Sequence, residues 1–320
     1  MRKAHQHKYL LAMRKLIRKA YSEKGARHPN KVSPGEELRV SIARYRKTLK
    51  EMPQDIELWL ALYDEAIAFW FAVWAAYRLQ IGGPSDKRLV CLMALAGRVF
   101  QDMVCVRELI VGGFFVQSNV VTRSLIEAID VMHLLNSKSE LATEFEQIKE
   151  NSVSSKFWHK YCSRDKISKI VKERWIWFFD GDEEPAHSFH ALRDGYLDLM
   201  GMSAHPSFNA SFVTFMDSTK GDSDSIAENA MGSISHMSKF TMHLILNRVF
   251  EYGFLWSGPE MSIYKSDVVS KPEPFLRENI SKGLSVLLSI VQTTSEGSRG
   301  DPLFPEFETY WRRESSDEKA

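Results

Sequence analysis

The sequence predicts an all-α protein, a multi-helix bundle with an up-and-down core and a basic amphipathic N-terminal extension. Apolar residues recur at helical spacing in one segment after another, and no stretch of strand length alternates apolar with polar residues. Strong helix stops, Gly82-Gly83-Pro84 and Gly112-Gly113, separate the segments. At 320 residues, 44% hydrophobic and 26% charged, the chain has the length for a sizeable core in one large or two intimate domains. The division expected is a basic helical region over 1–52, a helical bundle over 53–293 and a polar tail over 294–320.

The elements follow in order. Lys8 to Tyr21 sets Leu10, Met13, Ile17 and Tyr21 on one stripe, with Arg14, Lys15, Arg18 and Lys19 elsewhere, as in a basic amphipathic helix. Ser33-Pro34-Gly35-Glu36 is a capping box with proline at the first helical position, and it opens a helix to about Glu51. Asp55 is placed to cap a helix over Ile56 to Gln80, whose Trp59, Tyr63, Phe69, Trp70, Phe71, Trp74 and Tyr77 are expected in the core. A further helix starts at Ser85 and runs through Ile110. Phe114 to Leu135 follows the Gly112-Gly113 stop directly. Such short connections place consecutive helices antiparallel, so residues 55–135 form the expected heart of the bundle. Shorter helices are expected over Ser139–Glu150, Val153–Tyr161, Asp165–Phe179 and Pro185–Met200. The polar stretch from Asp217 to Asn229 is a loop, and helices over Gly232–Trp256 and Pro274–Gln292 return to the bundle.

Phe114 to Leu135 carries the main conflict in the pattern. Val121, Leu125, Ala128, Met132 and Leu135 cover one side of its helix, while Val116, Val120 and Leu134 make a second apolar flank. Arg123, Glu127 and Asp130 fall within that second flank. A charged triplet in an apolar surround must be paired, hydrated or functional, because an unpaired buried charge costs several kcal/mol or more. Paired, the three would form a structural network holding the bundle in register. As a site, Arg123 would offer its planar fork to a phosphate or carboxylate, with Glu127 or Asp130 orienting it or acting as a base.

Charge and cysteine content bound the function classes. The formal net charge is +1, yet residues 1–50 hold 15 Lys and Arg against 3 Asp and Glu. That basic region suits nucleic-acid phosphates, an anionic membrane surface, or the acidic remainder of the chain or of a second copy. Cys91, Cys105 and Cys162 are odd in number and have no zinc-ligand spacing, which fits a reduced, cytoplasmic protein. No secretory signal is evident. The most apolar run, Ala66 to Tyr77, falls short of the roughly 18 residues that span a bilayer, so no transmembrane segment is expected. A homo-oligomer is consistent with all of this.

Outside the Arg123 triplet, His187, His190, Asp194 and Asp198 can share one helix face and offer ligands to a divalent metal, though a solvated polar face has the same pattern. Asp130 and His133 make one carboxylate-x-x-His step, but a di-iron bundle needs a second such step with two more glutamates. No metal and no cofactor are therefore expected. His205 lies before Pro206 at a helix break, where its ring is free to reach another helix for acid/base work or anion contact. No nucleophile elbow, phosphate-binding loop, dinucleotide fingerprint or His-Glu-x-x-His motif occurs.

Gly112-Gly113-Phe114-Phe115, then Val121-Thr122-Arg123-Ser124-Leu125-Ile126-Glu127-Ala128, then Ser203-Ala204-His205-Pro206-Ser207, together resemble a bacterial all-helical family known as domain of unknown function number 5677. The likeness covers roughly residues 85–260 and implies a helical fold without a settled activity. More distantly the chain resembles HEPN-type proteins, many of them RNases of toxin and phage-defence systems, which pair an Arg with a nearby His. Here Arg193 and His205 lie twelve residues apart, a departure from that spacing. The resemblance implies an RNase-like, nucleic-acid-acting protein. Arg123, Glu127, Asp130 and His205 would then be its catalytic set, with Arg14, Lys15, Arg18 and Lys19 on the nucleic acid. The alternative is a non-catalytic helical sensor or scaffold with a structural Arg-Glu-Asp core network.

Overall fold

The computed structural model describes residues 54–81, 86–148, 151–178 and 238–256, with Val40, Ala43, Gly181, Glu183, Ile234 and Gly283 singly. Among them the secondary structure is helical without strands, an all-α multi-helix protein as the periodicity predicts. In chain order the helices are α1 (Gln54–Gln80), α2 (Lys87–Val111), α3 (Phe115–Ser137), α4 (Leu141–Glu146), α5 (Asn151–Tyr161), α6 (Arg164–Phe178) and α7 (Ser238–Trp256).

Local chemistry sets the ends, in two places not as the sequence suggests. α1 already begins at Gln54, so Asp55 lies inside the helix and is not its N-cap. α2 begins at Lys87, where the sequence expectation starts it at Ser85, and its cap is Asp86; the Asp86 carboxylate accepts from the Leu89 backbone N–H at 3.0 Å, satisfying one of the orphan donors of the first turn. The Gly112-Gly113 stop behaves as expected. Gly113 has φ 77°, Phe114 N–H donates to Leu109 C=O at 2.8 Å, and Gly113 N–H donates to Ile110 C=O at 3.0 Å. This Schellman closure needs a residue at ease in the left-handed region, and it turns the chain into α3 within three residues.

Side-chain bonds give the directions. Tyr63 hydroxyl donates to Met103 C=O and Trp70 Nε1–H to Ala96 C=O, so residue numbers rise along α1 as they fall along α2, and the pair is antiparallel. α7 runs the other way from α2. Asn119 meets Thr241, Asp130 meets Arg248 and His133 meets Trp256, a parallel register against α3, and Trp59 on His243 with Trp70 on Tyr252 gives the same register against α1. α7 packs on α1, α3 and α6. All its residues but Phe240 and Phe254 are buried. Among the described residues α7 is the most enclosed helix, returning to the bundle formed by residues 55–135.

One further correction concerns apolar length. The helices over Trp59–Gln80 and Lys87–Val111 are each long and apolar enough to cross a membrane, which the twelve-residue run from Ala66 to Tyr77 does not reveal. Length and composition alone do not place them in lipid: both supply core residues to the bundle.

Candidate functional site

The charged triplet of α3 is divided by the fold. Arg123 Nε donates to Glu127 Oε1 at 3.1 Å, the i,i+4 pairing expected of neighbours on one helix face. Their side chains are 35% and 38% exposed, and Val120 beside them is 44% exposed. The second apolar flank is thus partly at the surface, which corrects the premise that all three charges are buried. Asp130 is buried, 3% exposed. Three residues beyond Glu127 turn the helix by about 300°, enough to swing Asp130 off the surface and toward α7.

There Asp130 Oδ1 accepts from Arg248 Nη2 at 2.9 Å, while Arg248 Nη1 donates to Glu251 Oε2. Trp175 of α6 donates its indole N–H to the other Glu251 oxygen at 2.7 Å. Two carboxylates, one guanidinium and one indole thus tie α3, α6 and α7 together with all four residues buried. Arg248 Nε is buried without a hydrogen bond. Beside the network, burial and the negative charge of Asp130 and Glu127 push the Cys162 thiol up to about 12. It stays protonated and unreactive at neutral pH.

A second polar cluster continues along α7. Trp256 Nε1–H donates to His133 Nδ1 at 2.7 Å, which makes Nδ1 the acceptor and puts the proton of a neutral ring on Nε2. Tyr252 hydroxyl lies 2.5 Å from that of Tyr77 and accepts from Asn136 Nδ2 at 2.8 Å. Burial, then the adjacent Tyr77, raises the Tyr252 pKa well above the phenolic range, so the Tyr252 hydroxyl is neutral. His243 is buried against Trp59, and desolvation lowers its pKa to about 4.

Of the remaining expected site residues, His205 and the four candidate nucleic-acid contacts, Arg14, Lys15, Arg18 and Lys19, lie outside the described residues, as does the His187/His190/Asp194/Asp198 face. Among the described residues no group of three or more His, Cys, Asp or Glu side chains is arranged to hold a metal ion. Arg248, Glu251 and Trp175 are absent from the sequence-based candidates, yet a signal for the first two exists. Residues Met242 to Trp256 are mostly apolar, and an Arg and a Glu at i and i+3 within them are spaced to pair.

These features define a helical bundle with an interior acid–arginine–acid network. No protein family, curated protein or solved structure matches the chain.

Proposed function

We propose that this bundle is a non-catalytic helical scaffold or sensor module whose interior charges specify how its helices dock. The carrying observation is the placement of Asp130. A general base must reach a substrate proton, and this carboxylate is buried and bonded to a guanidinium. Arg123 and Glu127 do face solvent, but each occupies the other, and an exposed i,i+4 pair of this kind is ordinary on a helix surface. Incubating the purified chain with single-stranded and duplex RNA tests the proposal. The expected result is no cleavage above buffer. Cleavage that disappears in a folded Arg123→Ala or His205→Ala variant overturns it.

A second reading keeps one specific observation in its favour, the 15 basic against 3 acidic residues over positions 1–50. In it, the basic segment with Arg14, Lys15, Arg18 and Lys19 carries the bundle to nucleic-acid phosphates by counterion release. The likeness to domain of unknown function 5677 and to HEPN-type RNases belongs to this reading.

A further inference from the structure

Three of the long helices, α1, α3 and α7, run parallel, so their N-termini lie at the same end of the bundle. Thr241 hydroxyl donates to Asn119 Oδ1 at 2.7 Å. That bond joins the fourth residue of α7 to the fifth of α3, so these two helices start level to within about a turn. The positive ends of parallel helix dipoles repel each other, and an acidic side chain in the first turn is the common relief. α1 has Glu57 as its fourth residue. The first turns of α3 and α7 hold no acidic residue, and Phe114 at the N-cap of α3 makes no side-chain cap bond. Two uncapped positive ends therefore stand side by side.

The buried hydroxyls at this end are of two kinds. Ser118 donates to Phe115 C=O at 2.6 Å, Thr122 to Ser118 C=O at 2.8 Å and Thr241 to Asn119, as buried polar groups do. Ser238, the first residue of α7, is 1% exposed, and its Oγ has no hydrogen-bond partner. Side chains on a helix tilt toward its N-terminus, so this hydroxyl is aimed at the space before the first turn of α7. Lys239 adds a buried ammonium side chain to the same turn. A buried donor without an acceptor is costly, and one at a positive helix end is placed for an anion. The number of donors selects the anion. A carboxylate has two oxygens in one plane, whereas a phosphate group carries three acceptor oxygens about a tetrahedron and faces two helix ends and a hydroxyl together.

We propose that the adjacent N-termini of α3 and α7 bind a phosphate group, free or at the end of a small molecule, through Ser238 Oγ. The proposal rests on the sensor form of the function above and names the chemistry that is sensed. Calorimetric titration of the full chain with inorganic phosphate, with the melting temperature followed in parallel, is the test. Phosphate should bind with a Kd of about 1 mM or tighter and raise the melting temperature. Ser238→Ala should weaken binding about tenfold, since it removes a hydrogen bond to a charged group, and should leave the phosphate-free melting temperature at or above that of the wild type. Lys239→Gln should weaken binding as well by removing the charge. Glycerol 3-phosphate separates the two sources: tighter binding than inorganic phosphate puts the group on a small molecule, and weaker binding makes it the free ion. No binding at about 10 mM phosphate overturns the proposal. Binding indifferent to Ser238→Ala belongs to the basic residues over 1–50 and overturns it too. So does a Ser238→Ala chain that melts lower without phosphate, which makes the hydroxyl a structural bond, or acetate binding equal to that of phosphate. RNA cleavage by the chain removes the sensor reading whatever the phosphate titration shows, so the two fail separately.

Discussion

Arg123 and Arg248 carry the same charge on the same bundle and are held in opposite ways. Arg123 shares a surface pair with Glu127 and is surrounded by water over a third of its side chain. Arg248 is 2% exposed between two carboxylates. Arg123→Ala should therefore cost about 0.5 kcal/mol or less, whereas Arg248→Ala, which strands Asp130 and Glu251, should cost about 3–5 kcal/mol. Urea denaturation midpoints at constant slope measure both. Replacing the network together, Arg248→Met with Asp130→Leu and Glu251→Gln, should recover most of the loss, since the amide oxygen introduced at position 251 would still accept from Trp175 and no charge remains to desolvate. At His243 the sign of the pH dependence is fixed by burial. Its folded pKa is lowered to about 4 while the unfolded side chain titrates near 6.5, so between these values the unfolded state binds the extra proton. Stability from this group is complete above about pH 6.5 and falls by about 3 kcal/mol as the pH drops to about 4. The melting temperature measured from pH 7 to pH 4 should fall in the wild type, and less steeply in His243→Leu.

The helix ends at Asp86 and at Gly112-Gly113 have local causes, which makes the elements the most legible level of this protein. The Gly112-Gly113 stop is readable because only glycine takes φ 77° without strain; Gly113→Ala should lower stability by about 1–2 kcal/mol in thermal denaturation. Asp86→Ala should cost about 1 kcal/mol by removing the α2 cap. Ser85 and Asp86 adjoin, and both residue types cap well, so composition alone does not choose between them; the 3.0 Å bond to Leu89 does. The wheel of α3 places Leu125, Ala128, Met132 and Leu135 correctly in the core but overstates its second flank, where Val120 emerges. A wheel reports which residues share a face and says nothing of how wide a neighbour covers that face.

At the scale of the molecule, the charge separation between the N-terminal region and the remainder predicts a salt-sensitive interaction if the basic segment meets nucleic acid. Fluorescence anisotropy with a labelled oligonucleotide should then show affinity falling steeply from about 50 to 200 mM salt and vanishing in a chain that begins near Asp55. Salt-independent binding, or none, removes that reading. The all-α class, the antiparallel α1–α2 pair and the tight turn into α3 are determined by the sequence itself, because periodicity and glycine stops act over a few residues. Tertiary structure alone decided which charges are interior. Asp130 meets Arg248 across 118 residues of chain, and Trp175 meets Glu251 across 76. No local pattern encodes such partners: they follow from the parallel register of α7 against α3, which arises only when three helix faces close around it.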